Sequence, residues 1–143
     1  MKKKLAILVP ILVLGIGYEA YSKVTAPKPP KMKISGSIYV MPKDFTLNLA
    51  GGQYATLSVA LELAATQAMA TTDPSNPPPT GYGDLPEEPA VRAIITDDVT
   101  GEKASALINP EQRRALEAEI LANINSQTDV KVIKVLFADL AVQ

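Results

Sequence analysis

No histidine, cysteine or tryptophan occurs among these 143 residues. Without histidine the chain lacks the side chain that ordinarily exchanges a proton near neutral pH. Without cysteine it has no thiol nucleophile, no disulfide and no lipoprotein-type signal, and both absences together remove the usual ligands of zinc and iron centres. The net charge is −1, so no basic excess points to nucleic acid. Carboxylates, lysines and hydroxyls are what remain for chemistry, and they form no motif. Asp97 and Asp98 are adjacent, which on a helix splays them about 100° apart, so they read as a solvated face and not as a metal site. Glu87-Glu88 reads as charge compensation at a helix N-terminus. Lys103 and Ser105 lack any surrounding pattern of a Ser/Lys dyad. There is no phosphate loop, dinucleotide fingerprint or calcium loop. The expectation is therefore no enzyme, with no catalytic, cofactor or metal site.

The chain does have one long apolar run. Lys2, Lys3 and Lys4 precede Leu5–Ser22, whose residues from Leu5 to Tyr18 carry no charge. The apolar positions are Leu5, Ile7, Leu8, Val9, Ile11, Leu12, Val13, Leu14 and Ile16. As a helix the run rises roughly 27 Å, slightly short of the ~30 Å hydrocarbon core. Tyr18 and Tyr21 suit an interfacial aromatic belt. Pro10 would kink such a helix, which bilayers tolerate. Ala20-Tyr21-Ser22 also offers the small residues of a signal-peptidase site. Retained anchor and cleaved signal both fit, and either delivers the rest of the chain across a membrane. The lysine-rich tail 1–4 belongs on the cytoplasmic side.

Residues 23–36 form a linker rich in proline and lysine, a spacer that could also meet anionic lipid through Lys23, Lys28, Lys31 and Lys33. Residues 37–143 suffice for one small core. Ser37–Leu49 reads as two short strands around Pro42-Lys43-Asp44, followed by a hairpin turn at Gly51-Gly52. Tyr54–Leu63 alternates cleanly, with Ala55, Leu57, Val59, Leu61 and Leu63 on one face. Residues 68–88 carry five prolines and no apolar period, so they read as a mobile loop whose aromatic residue is Tyr82. Pro89–Val99 carries a helical stripe of Val91, Ile94, Ile95 and Val99, and Gly101 stops it. Asn109 caps a second helix with Pro110 at its first position, Leu116, Ile120 and Ile124 as its stripe, and Arg113 and Glu117 as a surface pair. Val130–Val142 closes the chain as a strand. The order indicates an α+β domain with helices packed on one face of a β-sheet.

Several of these segments resemble the flagellar basal body-associated FliL family. Val135-Leu136-Phe137 through Val142-Gln143 is similar to its terminal strand, which ends on glutamine. Tyr39, Phe45, Asn48 and Leu49 match its first strands, and Tyr54–Leu63 its alternating strand. Pro89 and Arg92 fit its first helix, and Leu116 and Asn125 its second. The chain departs from the pattern at Ala93, where the family often has Asp, and at Leu136, Ala138 and Leu140, which replace Tyr, Thr and Phe.

The resemblance implies a transmembrane helix that is kept, followed by a stomatin/prohibitin-like domain outside the cytoplasm. It implies a single-pass protein of the inner (cytoplasmic) membrane at the flagellar basal body. The implied partners are flagellar stator and basal-body proteins, membrane lipid and further copies of the chain as a homo-oligomer. The implied role is to support motor torque, flagellar rotation, chemotaxis, swimming and swarming. A membrane-anchored or secreted envelope scaffold unrelated to flagella is the alternative.

Overall fold

Proline and glycine cut the first half of the domain into strands. The computed structural model describes residues 33–69, 75 and 77–143. Strand β1 spans Ser37–Val40 and β2 spans Phe45–Asn48. Between them Pro42 supplies no backbone N–H, so the ladder cannot run on unbroken. Both pair antiparallel with β3, Tyr54–Leu63, and lie end to end along the same side of it. The Met41 N–H, donating to the Val59 carbonyl at 3.0 Å, carries the pairing across the break. A 3-10 turn at Ala50–Gly52 joins β2 to β3, with Gly51 and Gly52 at φ of 79° and 78°, a conformation costly for other residues.

Strand β4, Val132–Val142, pairs antiparallel with the other side of β3, completing a four-stranded sheet. Its register shifts twice, between Ser58 and Val59 and between Glu62 and Leu63, leaving Ala138 and Ile133 as extra residues. Helix α1 is Glu88–Val99, α2 the short Ala104–Ile108, and α3 Pro110–Gln127. The expected strands, turn and two long helices are all present, in one α+β arrangement. Helix α2 is an addition: five residues are too few to show a helical period in sequence.

Ile34–Gln143 forms one compact unit. Its core lies between the helices and the inner face of the sheet. Ala55, Leu57, Val59, Leu61 and Leu63 from β3 meet Val91, Ile95 and Val99 from α1 and Leu116, Ile120 and Ile124 from α3. Each fully buried aliphatic side chain contributes about 1.5–3 kcal/mol. Asn109 caps α3, its Oδ1 accepting from the N–H groups of Glu111 (2.9 Å) and Gln112 (3.2 Å).

Tertiary partners override two sequence expectations. Arg113 and Glu117 do not pair on the surface: Arg113 Nη1 donates to the Leu107 carbonyl, and Glu117 Oε1 accepts from the Phe137 N–H. Asp98 is not simply solvated, because Asn123 Nδ2 donates to both its carboxylate oxygens and joins α1 to α3.

The proposed anchor Leu5–Ser22, the linker as far as residue 32, and residues 70–74 and 76 of the long loop lie outside the described residues. Among the described residues no helix is long and apolar enough to cross a membrane.

Candidate functional site

Four of the residues singled out by pattern, Tyr39, Phe45, Pro89 and Arg92, meet at one corner of the domain, where the long loop returns to the body. Glu87, at φ 55°, takes the left-handed conformation just before α1. Pro89 fixes the first turn behind it, and Glu88 is directed into the protein, 1% exposed. Its Oε2 accepts the Tyr39 hydroxyl at 2.6 Å and the Gly83 N–H at 2.7 Å. One helical turn on, Arg92 Nη1 stands 3.8 Å from Glu88 Oε1, and neither of those two atoms has a hydrogen bond.

Arg92 then binds in two further ways. Its Nη2 donates to the Lys43 carbonyl at 2.9 Å, satisfying backbone exposed by the break between β1 and β2. Its guanidinium carbon lies 4.1 Å from the centroid of the Phe45 ring and 5.9 Å from that of Tyr82. Such contacts contribute about 0.5–2 kcal/mol depending on desolvation. One Glu–Arg pair therefore ties β1, the strand break, β2 and the loop to helix α1. Burial, followed by the hydrogen bond to Glu88 and its charge, raises the pKa of the Tyr39 phenol. It stays protonated, as a donor to the carboxylate. Leu85, 4% exposed, completes the corner as part of the core, so the end of the long loop is packed against the body.

The other motif residues close the remaining seams. Asn125, on α3, uses its amide like a strand partner: Nδ2 donates to the Val132 carbonyl and Oδ1 accepts the Val132 N–H. This fixes the start of β4. At the other end Gln143 exchanges both backbone hydrogen bonds with Tyr54, and the Tyr54 hydroxyl donates to Gln143 Oε1 at 2.8 Å. The Asn48 carbonyl accepts the Gly101 N–H, holding the end of α1 to β2. Leu49, Leu116 and Val135 are buried, and Phe137 and Val142 pack partly buried against the core.

Lys103 and Ser105 line a shallow, open cleft of about 380 Å³ with Glu102, Gln112, Leu116 and Glu119. No hydrogen bond joins Lys103 to Ser105. Among the described residues no three acids gather at metal-ligand spacing. Chemically, the best-built arrangement in the domain is a set of clasps.

A sequence-family model described as flagellar basal body-associated protein FliL matches residues 38–143. The chain belongs to the FliL family. No curated protein matches it. Membership carries the association with the flagellar basal body by which the FliL family is described. The match begins at Ile38 and ends at Gln143, so it takes in the whole Tyr39–Glu88–Arg92 corner and the Tyr54–Gln143 closure of this FliL domain. Glu88 is the residue that pattern reading undervalued. The signal available was its placement four residues before Arg92, the spacing of a helical ion pair.

Proposed function

We propose that this chain is a non-catalytic accessory scaffold of the flagellar motor. In this reading Leu5–Ser22 is a retained single-pass anchor in the cytoplasmic membrane, residues 1–4 face the cytoplasm, and the domain stands on the other side. There it associates with stator units and supports torque, swimming and swarming, self-assembling in a ring around them through a stomatin/prohibitin-like domain.

The observation that carries this reading is a FliL match over 38–143 behind an uncharged run with a basic start. One structural feature and one feature of the sequence support it. The two buried carboxylates, Glu62 and Glu88, hold strands, loop and helix together, as a scaffold requires. In the sequence, residues 23–36 separate the uncharged run from the domain, and at about 3.1 Å per extended residue they reach roughly 43 Å, which would keep the domain near the bilayer.

The deciding experiment combines a clean deletion with tagged localisation. The expected result is reduced swimming and swarming, restored by the full chain, with tagged protein at flagellar bases. Wild-type motility together with foci that ignore flagellar positions would support an envelope scaffold of unrelated function instead. A mature protein whose mass spectrum begins at Lys23 would overturn the anchor.

A further inference from the structure

The outer face of the sheet, turned away from the helices, changes character along its length. Towards the end formed by β2 it is polar, with Thr46 opposite Thr56 and with Ser58 Oγ donating to Asp44 at 2.8 Å. Towards the end where the chain enters the domain, two cross-strand rows replace this. Val40, Ala60 and Leu136 stand opposite one another, and Ile38, Glu62 and Lys134 form the next row. Ile133, extra at the bulge, reaches the same corner: its Cδ1 lies 3.5 Å from where a Cβ on Gly36 would stand. Ile34, Ile38, Val40 and Ile133 are 52%, 41%, 56% and 43% exposed. Exposed aliphatic residues grouped at one place mark a contact surface more than singly scattered ones do.

Glu62 lies in these rows without presenting its charge. It is 1% exposed, and its Oε1 accepts the N–H groups of Ser35 (2.6 Å) and Gly36 (3.3 Å). That clamp lays residues 35–36 against the sheet and fixes where the chain leaves the domain, beside the aliphatic corner. Lys134 stands in the same rows and Lys131 is exposed just before β4. Immediately upstream in sequence come Lys33, Lys31, Lys28 and Lys23, and then the uncharged run.

Apolar side chains at a chain exit, flanked by lysines, match the chemistry of an anionic bilayer interface. The aliphatic groups enter the headgroup–acyl boundary and the ammonium groups meet lipid phosphates. We propose that the corner formed by Ile34, Ile38, Val40, Ile133 and Leu136 rests on the lipid surface from which the chain emerges. The domain is then seated at a fixed face, and its polar sheet end and helices are held up for protein contacts. This inference rests on the anchor reading above.

The absence of native cysteine makes the test direct, since every introduced thiol is unique. The full chain, carrying Val40→Cys, Ile133→Cys, Thr46→Cys or Glu119→Cys, is labelled with an environment-sensitive fluorophore. It is reconstituted in phosphatidylcholine vesicles with and without phosphatidylglycerol, and nitroxide-bearing lipids serve as quenchers. Labels at Val40 and Ile133 should shift to the blue and be quenched, more so with the anionic lipid, while those at Thr46 and Glu119 should not. Labels at Val40 and Ile133 that remain in water would overturn the proposal. So would labels shielded from both water and lipid quencher, which would assign the corner to a protein partner or a second copy. Failure of the anchor reading is seen separately, as release of the unlabelled chain from vesicles by alkaline carbonate.

Discussion

The Tyr39 hydroxyl donates a 2.6 Å hydrogen bond to Glu88 Oε2, joining the first strand to the first helix across 49 positions of sequence. Hydrogen bonds to charged groups contribute about 1.5–3 kcal/mol. Tyr39→Phe should lower unfolding stability by that amount in urea denaturation, with Gly83 and Arg92 still compensating the carboxylate. Glu88→Ala should cost more, about 3–5 kcal/mol, because it leaves the half-buried Arg92 without its acid. The phenol's pKa is raised in the fold, so its contribution is complete below about pH 10 and is lost as pH rises through the folded value. That alkaline loss should be missing in Tyr39→Phe.

Asn125 supplies both a donor and an acceptor to Val132 at the first residue of β4. Asn125→Ala orphans two backbone groups there and should cost about 1–3 kcal/mol. Amide exchange locates the effect: the Val132 N–H should exchange faster in the variant, while the centre of β3, at Val59, should hasten only as far as global stability falls.

Two glycines should respond to alanine for different reasons. A Cβ on Gly36 would run into the Leu63 carbonyl oxygen, part of a strand that cannot easily move. A Cβ on Gly101 meets nothing, but the residue sits at φ 83°. Gly101→Ala should therefore cost about 1–2 kcal/mol of backbone strain. Gly36→Ala, which also disturbs the two N–H groups bound to Glu62, should lower the thermal midpoint further.

Glu117 is held with its carboxyl pKa above the usual range, by burial first, against the lowering effects of the Phe137 N–H, Arg113, Arg114 and Lys134. In the window between its unfolded value, about 4.3, and the raised folded value, the native state binds more proton than the unfolded state. This group's contribution to stability is thus complete below the unfolded pKa and falls as pH rises through the folded one. Glu117→Gln keeps an acceptor for Phe137 and removes the titration. Stability measured from pH 4 to pH 7 should fall less steeply in the variant than in the parent.

The elements legible in sequence were those whose burial leaves a local period. The stripes of α1 and α3 and the alternation from Ala55 to Ser58 reproduce the buried faces because one side of each meets the core, whereas from Val59 to Leu63 the strand is buried on both faces, Ala60 and Glu62 included. Asn109 was legible as a cap because its partners are two and three residues away. Glu88 was legible only in part: its place before Pro89 suggested a helix start, but its burial depends on Tyr39 and Gly83, which no spacing links to it. Arg113 and Glu117 show the converse. Their helical spacing suggests a pair, yet a backbone carbonyl at Leu107 and a strand N–H at Phe137 hold them apart.

The long loop is secured where it departs and where it returns. At its start the Ala64 N–H donates to the Lys131 carbonyl, and Gln67 Oε1 accepts the Lys131 N–H; at its end Gly83 and Leu85 are held. These hydrogen bonds fix the two ends of the loop, and for a flexible loop each doubling of length costs only about 0.6 kcal/mol. The two termini are less forgiving. Gln143 is laced to Tyr54 by its backbone, and at the opposite end of the domain Ser35 and Gly36 are clamped by Glu62. For anyone wishing to follow this protein in a living cell, a fluorescent reporter fused directly to Gln143 would therefore strain the Tyr54 closure of the sheet, and a flexible spacer should precede it.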